Sequence, residues 1–195
     1  MKKGIPFALR TETPADIADF VNNNFREIFE ERVGGYTLEE LDDRYLNDNA
    51  VVQVVHTQTG TLATGTTLIP IDNTIPQITE GDEYMTLAIT PKNANNILVI
   101  DVGATGASSA VATPIMALFQ NTEANAIAVT WQVASTGGEQ MQLRHKMIAG
   151  TTNNILFHVR IGLGSSGTYS FNGSGGNAYM GGKMSSYITI TEYST

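Results

Sequence analysis

Near residue 50 the spacing of apolar side chains changes from three and four residues to two, and no single element satisfies both spacings. After that point Leu68, Pro70 and Asp72 alternate with Ile69 and Ile71, and Tyr84-Met85-Thr86-Leu87-Ala88-Ile89-Thr90 alternates as far as Pro91. Ile97 to Val102 is a near-continuous apolar run, and Ala126 to Val133 places Ile127, Val129 and Trp131 on one face. Strands are also predicted over Met116 to Phe119, Gln140 to Ile148, Asn154 to Ile161 and Tyr187 to Tyr193. Stretches rich in Gly, Asn, Ser and Thr, such as Asp101-Val102-Gly103-Ala104-Thr105-Gly106 and Ser135-Thr136-Gly137-Gly138, separate them as loops. Eight or more short strands at this spacing predict an all-β sandwich.

The first 50 residues carry 11 acidic and 6 basic side chains and follow helical spacing. Thr13-Pro14-Ala15-Asp16 offers a capping hydroxyl, a proline suited to the first helical turn and a carboxylate near the positive helix end. Ile17, Phe20, Val21, Phe25, Ile28 and Phe29 then make one apolar stripe, which Gly34-Gly35 ends. Thr37-Leu38-Glu39-Glu40 fits a second capping box, with Leu38, Leu41 and Tyr45 on one face of a short helix. An apolar stripe of this size needs a cover, either the β part of the same chain or other copies of the helix. The expected organisation is a short helical region over 1–50, a polar linker over 51–65 and a β-sandwich head over 66–195.

Composition narrows the chemistry. The chain has 195 residues, 42% of them hydrophobic, which is enough for a substantial core. Without cysteine it has neither disulfides nor thiolate metal ligands. A formal net charge of −8 opposes a phosphate-neutralising surface, so no nucleic-acid partner is expected. No segment approaches the ~20 apolar residues of a membrane span, and none has the apolar run of a signal peptide, so no membrane insertion is expected.

Catalytic patterns are weak. Glu80-Gly81-Asp82-Glu83 reads as a hydrophilic turn between strands, and the Asp-rich loop of an EF-hand is absent. His56, His145 and His158 lack the close ligand pairs of a zinc site, and His145 falls on a solvated strand face between Arg144 and Lys146. Gly162-Leu163-Gly164-Ser165-Ser166-Gly167 lacks the βαβ context and the Gly-Lys-Ser/Thr that phosphate cradles need. The expectation is a protein that is not an enzyme, with no cofactor and no metal. The Gly-rich run from Gly164 to Gly182 sets aromatic residues among Gly, Ser and Asn, a mixture used by binding loops. Tyr169, Asn172, Asn177 and Tyr179 are its candidate receptor-binding residues, against an alternative in which the aromatics of two Gly-rich turns pack inward.

The stretches Thr66 to Pro91, Asn96 to Val102, Gly162 to Gly182 and Ser185 to Tyr193 together resemble the C-terminal head domains of bacteriophage tail fibres and related trimeric virion proteins, of tumour-necrosis-factor-like jelly-roll type. About two thirds of the chain is covered by the resemblance. Leu41-Asp42-Asp43-Arg44-Tyr45-Leu46 is also similar to elements of phage fibre shafts. The resemblance implies a homotrimer in a virion, made in the host cytoplasm. Ile17, Phe20, Val21, Phe25, Ile28 and Phe29 would serve trimerisation and attachment to other virion proteins, and the head would bind a host cell-surface glycan or protein. The alternatives are a capsid decoration or head fibre, a glycan-processing enzyme, and a secreted lectin.

Overall fold

A computed structural model describes residues 50–134 and 137–195, all within the compact unit Asp48–Thr195. Twelve strands follow in chain order among these residues: β1 (Val51–Thr59), β2 (Ala63–Gly65), β3 (Asp82–Ile89), β4 (Ile97–Ser108), β5 (Pro114–Gln120), β6 (Ala128–Trp131), β7 (Gly138–Ile148), β8 (Ile155–Leu163), β9 (Tyr169–Phe171), β10 (Gly173–Ser174), β11 (Asn177–Ala178) and β12 (Ser186–Tyr193). In the first sheet β7 takes one side of β4, while β12 and then β9 share the other. Outside these lie β1 against β12 and β2 against β9. The second sheet runs β3-β8-β5-β6, and β10 pairs with β11 as a small hairpin. With β1 and β2 taken as one interrupted strand, the eight principal strands fall first-eighth-third-sixth in one sheet and second-seventh-fourth-fifth in the other. That is the order of a jelly roll, the type implied by the resemblance to fibre heads, and the sandwich is the one the strand spacing predicted.

Alternation puts one face of each principal strand into the space between the sheets. Ile188 and Ile190 of β12, Leu98, Ile100 and Val102 of β4, and Met141 and Leu143 of β7 meet Phe157, Val159 and Ile161 of β8 and Met116 and Leu118 of β5 in one core. Burying each of the larger side chains contributes about 1.5–3 kcal/mol.

Three expectations are corrected. The stretch 51–65, read as a linker, contains β1 and β2; its residues alternate only weakly because β1 is an edge strand that shows Val54 and other side chains to solvent. Asp101 to Gly106, read as a loop, is the middle of β4. Its glycines are there because the Tyr187 ring crosses Gly103 and the Tyr169 ring crosses Gly106, where any Cβ would collide. Leu68 to Asp72 alternates yet is no strand: it belongs to a connection that covers the second sheet. The helices expected before residue 50, with Ile17, Phe20, Val21, Phe25, Ile28 and Phe29, lie outside the described residues.

Candidate functional site

The connection from β2 to β3 is tied across the outer face of the second sheet. Ile69 is fully buried there against Ile115, Ala117 and Phe119, forming a second small core beside Ile78 and Ala126. Ile69 N–H donates to Leu163 O at 3.1 Å, and Gly81 N–H donates to Leu68 O at 3.0 Å. Gly162 permits this crossing, since an added Cβ would stand 2.7 Å from Thr67 O. The Arg160 guanidinium clamps the return of the loop by donating to Glu80 O (2.9 Å) and Gly81 O (2.7 Å). Further along, Ala126 N–H donates to Pro76 O and Ile78 N–H to Ala124 O.

Between these ties the loop stands away from β5 and β6 and leaves an open cleft of about 490 Å³. Ile71, Ile75, Ile115, Val129 and Trp131 supply most of its wall, with Asp72, Thr74 and Thr113 among the polar lining residues. The volume falls within the range of about 300–1,000 Å³ typical of ligand pockets. Trp131 is 66% exposed, and Ile71 and Ile75 are also open to solvent. Asp72 Oδ1 accepts the Thr74 N–H at 2.7 Å and its hydroxyl, and these bonds hold the carboxyl below its ordinary pKa. Sequence reading placed Trp131 on one strand face and Asp72 at the end of a separate alternating stretch. It did not bring them together, because the cleft is made by a loop that crosses a sheet in space.

The residues expected in the Gly-rich loops divide. Tyr169 is buried at 1% exposure, its ring edge-on to Tyr84 with centroids 6.0 Å apart, and Tyr84 stacks on Phe171 at 4.7 Å. Burial, the nearby Glu139 carboxylate and Tyr84 push the Tyr169 hydroxyl well above the ordinary phenol pKa; burial and then Asp82 do the same for Tyr84. Asn172 is also 1% exposed. It takes a positive φ of 56°, donates from Nδ2 to Thr59 O (2.9 Å) and Thr61 O (3.2 Å), and accepts the Ser186 hydroxyl at 2.7 Å. The expectation that Tyr169 and Asn172 meet a receptor is therefore corrected: small neighbours let the ring and the amide sink inward. Asn177 is exposed on the β10-β11 hairpin, where Gly175 and Gly176 make the turn with positive φ, and Tyr179 is 47% exposed.

The histidines are placed apart. His56 stacks with Tyr187 on the outer face of the first sheet and shares a 2.8 Å contact with Thr189 Oγ1. His158 Nδ1 lies 2.8 Å from Glu83 Oε2 on the second sheet. His145 is half-buried on β7 rather than solvated, and desolvation lowers its pKa. Among the described residues no three His, Asp or Glu side chains are grouped to hold a metal ion. Of Glu80-Gly81-Asp82-Glu83, read as a turn, only Glu80 and Gly81 (φ +64°) bend the chain, and Asp82 and Glu83 already begin β3.

The family model of the Pgp3 C-terminal domain matches residues 62–195. The chain belongs to that family. The match covers more than half of the sequence and nearly all of the jelly roll, so the head is a fibre-type β domain. A comparison with curated proteins finds no match. Similar solved structures include dimeric latent PorU from Porphyromonas gingivalis, at 9% identity and a TM-score of 0.36 over 76% of this chain and 14% of that one. Another is the CBM36-1 domain of a multidomain xylanase from the hindgut metagenome of Trinervitermes trinervoides, at 10% identity and TM-score 0.35, covering 71% and 96% of the two chains. A third is the enzymatically active domain of bacteriophage CBA120 tailspike protein 4, at 12% identity and TM-score 0.29, covering 64% and 19%. The chain thus spans about a seventh of PorU and a fifth of the tailspike domain.

Proposed function

We propose that this chain is the head-bearing subunit of a homotrimeric fibre in a virion, a non-enzymatic protein that attaches its particle to a host surface. Membership of the Pgp3 C-terminal domain family supports the fibre-type head, and the resemblance to phage tail-fibre heads supports the virion setting.

The observation that carries association is the outer face of the first sheet. In a sandwich the outward side chains are normally polar. Here two neighbouring cross-strand rows are largely apolar at one end of the sheet: Tyr193, Ile97 and Ile148, then Val54, Thr191, Val99 and Lys146. Ile148 is 64% and Val54 55% exposed in the single chain. Covering this face with other copies at about 25 cal/mol per Å² of apolar area would tie folding to association. Three heads on one axis would also turn weak single contacts into useful attachment, since the second and third contacts become intramolecular.

Light scattering on the full chain tests the reading and should give three times 20.9 kDa. Ile148→Asp with Val54→Asp should lower that mass while leaving each sandwich folded. A monomer independent of concentration would sink the trimer, and a particle lacking this chain that still adsorbs normally would sink the attachment role.

A further inference from the structure

From the cleft beside β6 we infer a second recognition site, one that takes an extended peptide segment carrying a bulky aliphatic side chain next to a lysine or arginine. It rests on the attachment reading in one respect only, that the head meets a partner protein. Its chemistry is argued from the cleft itself.

The cleft is shaped for an aliphatic anchor. Ile71, Ile75, Ile115 and Val129 face it with hydrocarbon, and the Trp131 indole stands at its rim, largely open to water. A sugar would leave many hydroxyl groups against that wall without partners, a cost of about 1–3 kcal/mol for each unpaired polar group. A leucine or isoleucine brings no polar side-chain group to be left unpaired there. Such a segment need not wait for the loop to form a site, because the ties at Ile69, Pro76 and Gly81 hold the loop over the sheet.

Charge selects the neighbouring residue. Asp72 is the one charged side chain among the described residues that line the cleft, and the chain as a whole carries −8. Thr74 occupies Asp72 Oδ1 from two directions, which fixes the carboxylate and leaves Oδ2 outside those bonds. A cation at the mouth meets that oxygen and can also lie on the Trp131 face. An acidic neighbour is repelled.

Trp131 is the chain's single tryptophan, so its fluorescence reads this cleft and nothing else. The probes are three nonapeptides of Ser, Gly and Asn with a central Ile-Lys, Ile-Glu or Ser-Lys pair, titrated into the full chain. The Ile-Lys peptide should shift the emission to shorter wavelength and saturate. Replacing Ile by Ser should weaken binding about tenfold or more, the worth of one buried aliphatic side chain. Asp72→Asn should weaken the Ile-Lys peptide about two- to fivefold, as an exposed ion pair would, and leave Ile-Glu no worse. Val129→Asp should abolish the shift without changing the melting temperature, since Val129 is exposed. The inference is overturned if no peptide shifts the emission, or if Ile-Lys and Ile-Glu bind alike. It is also overturned if the free chain already emits at short wavelength, which would mean that another copy fills the cleft, or if phosphatidylcholine vesicles shift the emission and the peptides do not. Adsorption of particles plays no part in the titration, so failure of the attachment role leaves a positive result standing.

Discussion

The Tyr169 ring lies so close to Gly106 that a Cβ on that glycine would stand 2.4 Å from the tyrosine hydroxyl and 2.5 Å from Cζ. The same Cβ would be 2.6 Å from Ser170 O, a backbone atom that cannot swing aside. Gly106 in β4 is therefore what gives β9 its place in the first sheet. Gly106→Ala should cost about 1–3 kcal/mol or more, the usual range for overpacking, and would show as a lowered melting temperature.

The two tyrosines of the Gly-rich region should behave oppositely. Tyr169→Ala removes a fully buried aromatic side chain and should cost about 3–5 kcal/mol. Tyr179→Ala removes a half-exposed one and should change stability by less than about 0.5 kcal/mol. Denaturant midpoints of the two variants separate these outcomes, and equal losses would place both rings in the core.

Glu192 on β12 makes stability depend on acidity. It is buried, which by itself raises a carboxyl pKa, but Asn96 Nδ2 at 2.6 Å, Gln53 Nε2, Lys92 N–H at 2.8 Å and Asn93 N–H at 3.3 Å all donate to its carboxylate. Together they hold the folded-state pKa below the ordinary carboxylate value. With the folded pKa lowered, the stabilisation is complete above the unfolded-state pKa and is lost as pH falls through the folded one. Urea melts taken downward from about pH 5 should therefore show a decline that Glu192→Gln flattens. Glu192→Ala, which orphans the buried Asn96 amide and three partly buried donors, should cost about 3 kcal/mol at neutral pH.

Where the head begins can be tested by truncation. A chain starting at Asp48 keeps β1, its full ladder to β12 and the Thr59 carbonyl that Asn172 uses. It should be soluble and rich in β structure. A chain starting at Thr61 loses all nine residues of β1 and exposes the β12 edge, so it should aggregate or melt at much lower temperature. Equal stability of the two would show that β1 adds nothing to the fold.

Arg160→Ala should loosen the loop over the second sheet. The guanidinium side chain is mostly buried and holds two carbonyls, so its loss should cost about 1–3 kcal/mol and speed proteolytic cleavage between residues 66 and 81. Arg160→Lys keeps the charge but not the two-pronged geometry and should recover only part of the protection.

Much of the fold was legible because sandwich strands must alternate. Ser186 to Tyr193 buries every second residue as its pattern predicts, and β3, β7 and β8 are readable in the same way. Alternation says which side chains share a face, however, and not what covers that face. Leu68 to Asp72 has the pattern of a strand, yet it crosses the second sheet and spends Ile69 on a separate small core. Val51 to Thr59 has too little apolar contrast to announce a strand, yet β12 supplies it with a ladder. Local sequence thus determined the clearly alternating strands, the Gly-rich turns and the all-β class, because those depend on contacts a few residues apart. The tertiary structure decided that Tyr169 and Asn172 turn inward and that Trp131 and Asp72 share a cleft, because those outcomes depend on partners such as Gly106, Thr59 and Ile115, which lie far away in the chain and come close only through strand pairing in the first sheet and the passage of a loop over the second.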